Sequence, residues 1–101
     1  MDIEISKQDN VTTARLIGRL DTPASIEAAK IMEPVQEDAS GTIILDCNEL
    51  SYISSSGLRI FLGIRKAASA QGGKVIVRGI NPDIRNVFMI TGFLNLFQIE
   101  E

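Results

Sequence analysis

Hydrophobic and polar positions alternate at the start of the chain. Ile3 and Ile5 stand between charged or polar neighbours, and Val11, Ala14, Leu16 and Ile17 follow after Gln8-Asp9-Asn10. A period of two marks a half-buried strand. Two strands are therefore expected, joined at an Asp-Asn pair that suits a hairpin turn although it lacks glycine. Beyond Gly18-Arg19-Leu20-Asp21 the period lengthens, and Ile26, Ala28, Ala29 and Met32 form a helical stripe. Thr22 stands as its N-cap and Pro23 at the first helical position, where a missing N–H costs nothing. Pro34 is expected to kink or end this helix, because an interior proline removes a hydrogen bond and clashes with the preceding turn.

Ser40-Gly41 breaks the pattern, and Thr42-Ile43-Ile44-Leu45 reads as a short strand buried on both faces. A mixed segment from Glu49 to Ser55 leads to a second helix, expected from Gly57, with Leu58, Phe61, Leu62, Arg65 and Ala68 on adjacent rows. Gly72-Gly73 stops it. Lys74 to Arg78 is the next strand. Asn81-Pro82-Asp83 opens a third helix with a cap, a first-position proline and an acid at the positive dipole end. Ile84, Val87 and Phe88 line that helix, Gly92 closes it, and Asn95 to Ile99 reads as the last strand. Strands alternating with helices require crossover connections. The expectation is an α/β fold: a mixed, mostly parallel sheet of about five strands with helices packed on it, as one domain over residues 1–101.

Composition narrows the function. A chain of 101 residues, 45% hydrophobic, can bury one core. Its single cysteine, Cys47, lies in an apolar stretch and reads as a core residue in a reducing compartment. No basic-then-apolar leader opens the chain, and no apolar run approaches the ~20 residues of a membrane-spanning helix, so a cytoplasmic location without membrane contact is expected. The net charge is −3 and the basic residues are scattered, with one tyrosine and no tryptophan to stack on bases. Nucleic-acid binding calls for a basic stripe, and none is present.

Histidine is absent, which removes the commonest general base and, with a single cysteine, any ordinary zinc set. The glycine-rich phosphate loops and the G-x-S-x-G elbow are missing as well. Asp46 and Glu49, three apart after a strand, read as solvated charge. No catalytic residue, metal or cofactor is expected.

The informative segment runs from Leu45 to Leu58 and ends in Ser54-Ser55-Ser56-Gly57-Leu58. Serine is a favoured N-cap, so plain capping accounts for one of the three. The strand, the following Asp46, Leu50, Ile53 and the Ser-Ser-Gly-Leu run together resemble the signature of STAS domains, and of the anti-sigma factor antagonists in particular. Gly18-Arg19-Leu20-Asp21 is similar to that family's turn after the second strand. So are Gly72-Gly73 before a hydrophobic strand and the segment from Phe88 to Phe93.

The resemblance implies partner switching. An unphosphorylated antagonist binds an anti-sigma factor that is also a serine/threonine kinase and so frees a sigma factor. The kinase phosphorylates the serine before the Gly-Leu pair, which maps onto Ser56, and a serine phosphatase reverses the mark. Where the family usually carries an acid ahead of that serine this chain has Ser54, which leaves Ser55 as second candidate. Asp21, Thr22, Ser54, Ser55, Ser56, Gly57 and Arg59 are the expected partner-binding residues. The chain would be a kinase substrate and not an enzyme. The alternative is an unphosphorylated accessory STAS subunit of a transport or signalling assembly.

Arg59, Gly63 and Lys66 share the outer face of the second helix. Glycine in a helix interior costs roughly 1 kcal/mol against alanine, so something is expected to approach closely at Gly63, a neighbouring element of the same domain before a partner. Phe61 and Leu62 are read as core.

Overall fold

Asp9 takes φ 55°, a left-handed conformation that aspartate tolerates. It folds strand β1 (Asp2–Gln8) back on β2 (Val11–Leu20) in an antiparallel register running from Asp2↔Ile17 to Gln8↔Val11. The computed structural model, which describes residues 1–100, continues with α1 (Thr22–Glu37), β3 (Thr42–Ile53), α2 (Ser55–Gln71) and β4 (Lys74–Arg78). Then come α3 (Pro82–Thr91), a 3₁₀ turn at Phe93–Asn95 and β5 (Gln98–Glu100). Spatial order follows chain order, β1-β2-β3-β4-β5, and every pair after the first is parallel. The mixed, mostly parallel α/β sheet anticipated from the alternation of elements is present.

One face of the sheet carries the core. Thr12, Ile43 and Val75 lie in one cross-strand row and Ala14, Leu45 and Val77 in the next. These six are buried, and they meet Met32 and Val35 of α1, Phe61 and Ile64 of α2, and Ile84 and Phe88 of α3. The chain's four phenylalanines, Phe61, Phe88, Phe93 and Phe97, form one aromatic cluster with centroids 5.9–6.4 Å apart. They lock α2, α3 and the approach to β5 together. The other face is more open. Its central row, Glu4-Arg15-Asp46-Arg78-Glu100, alternates in sign across all five strands. Arg15 donates to Glu4 (3.1 Å) and Glu49 (2.6 Å), and Arg78 pairs with Glu100 at 3.0 Å. Asp46 accepts the Asn48 N–H at 3.0 Å, so Asp46 and Glu49, which lie within β3 and not after a strand, are both held by surface partners.

Several boundaries differ from the sequence expectations. The first helix runs through Pro34 to Glu37, because Met32 and Val35 on either side are buried and packing outweighs one missing hydrogen bond. Its buried stripe is Ser25, Ala28, Met32 and Val35, while Ile26 is 68% exposed. Ser25 can be buried because its hydroxyl donates to the Asp21 carbonyl at 2.7 Å. β3 extends to Ile53, and its Thr42 and Ile44 are only half-buried since the deep core lies on one face. Leu62 is likewise half-buried, whereas Phe61 and Cys47 are core. The final strand begins at Gln98, because the residues before it fold into the 3₁₀ turn and Phe97 enters the aromatic cluster. At Gly63 a Cβ would meet the Gln36 Nε2 of α1 at 3.0 Å, so the close neighbour is an element of the same domain.

Candidate functional site

Parallel strands with crossover helices put the N-termini of α1, α2 and α3 at the edge where β2, β3 and β4 end. Each start is capped by a side chain. Asp21 Oδ1 accepts the Ala24 N–H at 2.9 Å, Ser54 Oγ accepts the Gly57 N–H at 3.2 Å, and Asn81 Oδ1 accepts the Ile84 N–H at 2.8 Å. The first two loops are tied together. Leu20 pairs with Ile53 in the sheet, and the Ser54 N–H donates to the Leu20 carbonyl at 2.9 Å. Asp21 and Thr22 thus sit beside the serine loop, as the fold expectation requires.

Two caps fall elsewhere than the sequence reading places them. Asp21, not Thr22, caps α1, since its backbone is extended (φ −82°, ψ −179°) and its carboxylate accepts the Ala24 N–H; Thr22 becomes the first helical residue and is exposed. Helix α2 begins at Ser55 and not at Gly57, because the extended Ser54 (φ −89°, ψ 171°) already supplies the cap. Ser54 is 7% exposed and spent on the fold.

Ser55 and Ser56 therefore occupy the first turn of α2 and face different ways. Ser55 shares its helical row with Arg59, four residues on, and both are exposed. Ser56 shares its row with the buried Ile60 and Ile64 and is itself half-buried. Gly57 is set by a close approach: a Cβ there would lie 2.8 Å from Leu20 Cδ2 and 2.9 Å from Ile53 Cγ1. The absence of a side chain lets the helix start lie flat on the ends of β2 and β3.

The same edge carries residues that the sequence reading did not single out. Tyr52 is 41% exposed with the Arg19 guanidinium 4.4 Å from its ring centroid, and Ile26 projects from the second turn of α1. Tyr52 could have been noticed as the lone tyrosine beside the serine run. Ile26 could not, because it falls on the apolar spacing of the helix.

Chemically, the edge offers two hydroxyls at a helix N-terminus, where free N–H groups and the dipole favour a negative charge. Among the described residues no group of three or more His, Cys, Asp or Glu side chains is placed to hold a metal ion. Among those residues, too, no helix is long and apolar enough to cross a membrane. Cys47 is no nucleophile, since burial first, and then Asp46, pushes its thiol up to about 12.

A five-stranded mixed sheet with its helix starts gathered at a Ser-Ser-Gly-Leu edge is the arrangement of STAS domains, and the chain belongs to the STAS domain family, which matches residues 2–101. It is 28% identical over 101 residues to an anti-sigma-B factor antagonist of Staphylococcus aureus, across 100% of this chain and 94% of that protein. Among solved structures it is similar to the anti-sigma factor antagonist SpoIIAA in its unphosphorylated form, with TM-score 0.75 and 25% identity over 99% of this chain and 88% of that one. The phosphorylated form of the Bacillus cell fate determinant SpoIIAA gives a TM-score of 0.74 and 27% identity over 97% and 90%.

Proposed function

We propose that this chain is an anti-sigma factor antagonist that works by partner switching. Unphosphorylated, it binds an anti-sigma factor that is also a serine/threonine kinase and frees a sigma factor. Phosphorylated at the start of α2, it lets go. ATP and its magnesium belong to the kinase, and a serine phosphatase restores the binding form.

The observation that carries this reading is a pair of serines in the first turn of α2, neither of them buried, in a chain similar along its whole length to an antagonist solved in both phosphorylation states. Ser56, the serine directly before the Gly-Leu pair, is the first candidate acceptor and Ser55 the second. Ser55 is exposed and Ser56 half-buried, so neither is closed off from a kinase. Ser54 in place of an acid keeps the cap, for which serine and aspartate serve about equally.

Phosphate adds about −1.5 to −2 charge and three acceptor oxygens. In the first turn of α2 these meet the free N–H groups and the positive dipole end of the helix, an arrangement that favours the anion. The fold tolerates the mark. A partner that covers this edge must instead bury a dianion, which costs several kcal/mol unless a cation pairs with it. Since about 1.4 kcal/mol is a factor of ten in affinity, no refolding is needed. The exposed Thr22, Ile26, Tyr52 and Arg59 complete the surface such a partner would contact.

Incubation with the kinase and ATP, followed by peptide mass spectrometry, is expected to find one phosphate on Ser56 and none in Ser56→Ala. In calorimetry Ser56→Ala retains partner affinity, and Ser56→Asp loses it by about tenfold or more. Equal affinity of both variants would sink the switch, whereas phosphate on Ser55 alone would move the acceptor and leave the rest standing. An unphosphorylated accessory STAS subunit would instead take no phosphate at either serine and co-purify with a transport ATPase.

A further inference from the structure

Helix α2 carries three cations, Arg59, Arg65 and Lys66, and no acid. The arginines elsewhere in the chain are engaged. Arg15 pairs with Glu4 and Glu49, Arg19 lies over the Tyr52 ring, and Arg78 pairs with Glu100. Arg65 donates to the Leu96 carbonyl, and Arg85 has a partner as well. Among the described residues Arg59 is the one arginine without a partner, and it is exposed. Its helical neighbours explain this. A side chain on a helix meets those three and four positions away, and for Arg59 these are Ser55, Ser56, Leu62 and Gly63. Two serine hydroxyls are the only polar side-chain groups in that set.

We propose that Arg59 is the counter-ion of the phosphate, closing on phosphorylated Ser56 from the same helix. The proposal rests on the partner-switching reading and says how the mark is held. At 3.6 residues per turn Arg59 stands about 60° round the axis from Ser56 and about 40° from Ser55, roughly 4.5–6 Å further along. Helical side chains lean toward the N-terminus, which directs the Arg59 stem back over the first turn and away from Leu62 and Gly63. An anion N-terminal to a cation is the favoured order at this spacing, and the guanidinium fork matches two phosphate oxygens. The same reach covers Ser55, so the pairing holds whichever serine takes the phosphate.

Pairing favours the dianion and lowers the second ionisation of the phosphate below its ordinary pKa of about 6. The mark then keeps its full charge as the pH falls from 7 toward 6. Arg59 is at the same time drawn off the surface offered to a partner. The other charged or titratable side chains at this edge are Asp21, which accepts the Ala24 N–H, Arg19 on Tyr52, Tyr52 itself, and Asp83 in the first turn of α3. They act on the phosphate whether or not Arg59 is present.

The test is a phosphorus-31 NMR titration of the full chain with phosphoserine installed at position 56 during translation, which needs neither kinase nor partner. Arg59→Gln is expected to raise the second pKa of the phosphate by about half a unit. Arg59→Lys, which keeps the charge and loses the fork, raises it by less. Lys66→Gln removes the same charge from the same helix about 15 Å from Ser56, beyond the ~10 Å screening length at 0.1 M salt, and leaves the pKa in place. An Arg59→Gln phosphate that titrates as in the unmodified chain overturns the proposal, as does an equal shift in Lys66→Gln. Both side chains are exposed, so circular dichroism is expected to show every variant folded. The switch and the pairing fail separately: a chain that no kinase phosphorylates sinks the switch while the titration still reads the pairing. A chain that is phosphorylated, but whose phosphate ignores Arg59, sinks the pairing alone.

Discussion

At the scale of single residues, the serine edge depends on an absence. Gly57 has no special backbone angle, so flexibility does not explain it. What it provides is room, since the Leu20 and Ile53 side chains occupy the space a methyl would need. Both neighbours are buried and hemmed in, Leu20 at 0% and Ile53 at 4% exposure, so neither can swing away cheaply. Gly57→Ala is therefore expected to destabilise the fold by about 1–3 kcal/mol, the usual cost of overpacking, as read from urea unfolding. Unchanged stability would mean that the helix start does not lie where the structure places it. The Gly-Leu pair beside the serines is thus a packing requirement first. It fixes where Ser55 and Ser56 sit without touching a partner.

At the scale of elements, α1 and α2 are joined along their length as well as at their starts. Gln71 near the end of α2 accepts the Ala39 N–H at 2.9 Å and donates to the Gln36 carbonyl at 2.8 Å, which clamps the two helix ends together. Midway, Gly63 faces the end of the Gln36 side chain. That contact is with a flexible amide and not with backbone, so Gln36 can withdraw by a few tenths of an ångström. Gly63→Ala is accordingly expected to gain up to about 1 kcal/mol from helix propensity, seen as a raised melting temperature. A loss instead would show that Gln36 is held rigidly and that the α1–α2 contact is tighter than its chemistry implies. Gly63 and Gly57, on one helix, thus respond in opposite directions to the same substitution.

At the scale of the whole molecule, burial of Cys47 couples global stability to pH. The thiol is 1% exposed, donates to the Leu45 carbonyl at 3.6 Å, and is raised from its ordinary value of 9.0 to about 12. Unfolding returns it to the ordinary value, so above pH 9 the unfolded chain binds fewer protons than the folded one and stability falls with rising pH. This contribution is fully present below pH 9 and is lost progressively up to about pH 12. The stability difference between the unmodified chain and Cys47→Ala should be flat below pH 9 and shrink above it, measured by denaturant titration at each pH. A difference that stays constant would mean the thiol ionises in place. In the native state the same burial keeps Cys47 unreactive.

Much of this protein is determined locally. The order of elements follows from period-two and helical spacing; the helix stops at Gly72 and Gly92 and the start at Asn81 come from single residues whose backbone or capping preferences need no tertiary help. The serine run announced itself for the same reason. Other features depend on what lies across the fold. Ile26, expected in the buried stripe, lies outside it and Ser25 lies within it, because a backbone carbonyl satisfies the serine and the sheet lies under the other side of the helix. Pro34 stays helical because its neighbours are buried. Which of Ser55 and Ser56 meets solvent was undecidable from three consecutive serines, since it turns on where the cap falls. The cap falls at Ser54 because Leu20, in a strand more than thirty residues earlier, holds that residue's N–H. Local propensity can write the elements in a line; only the pairing of distant strands decides which side of each faces water.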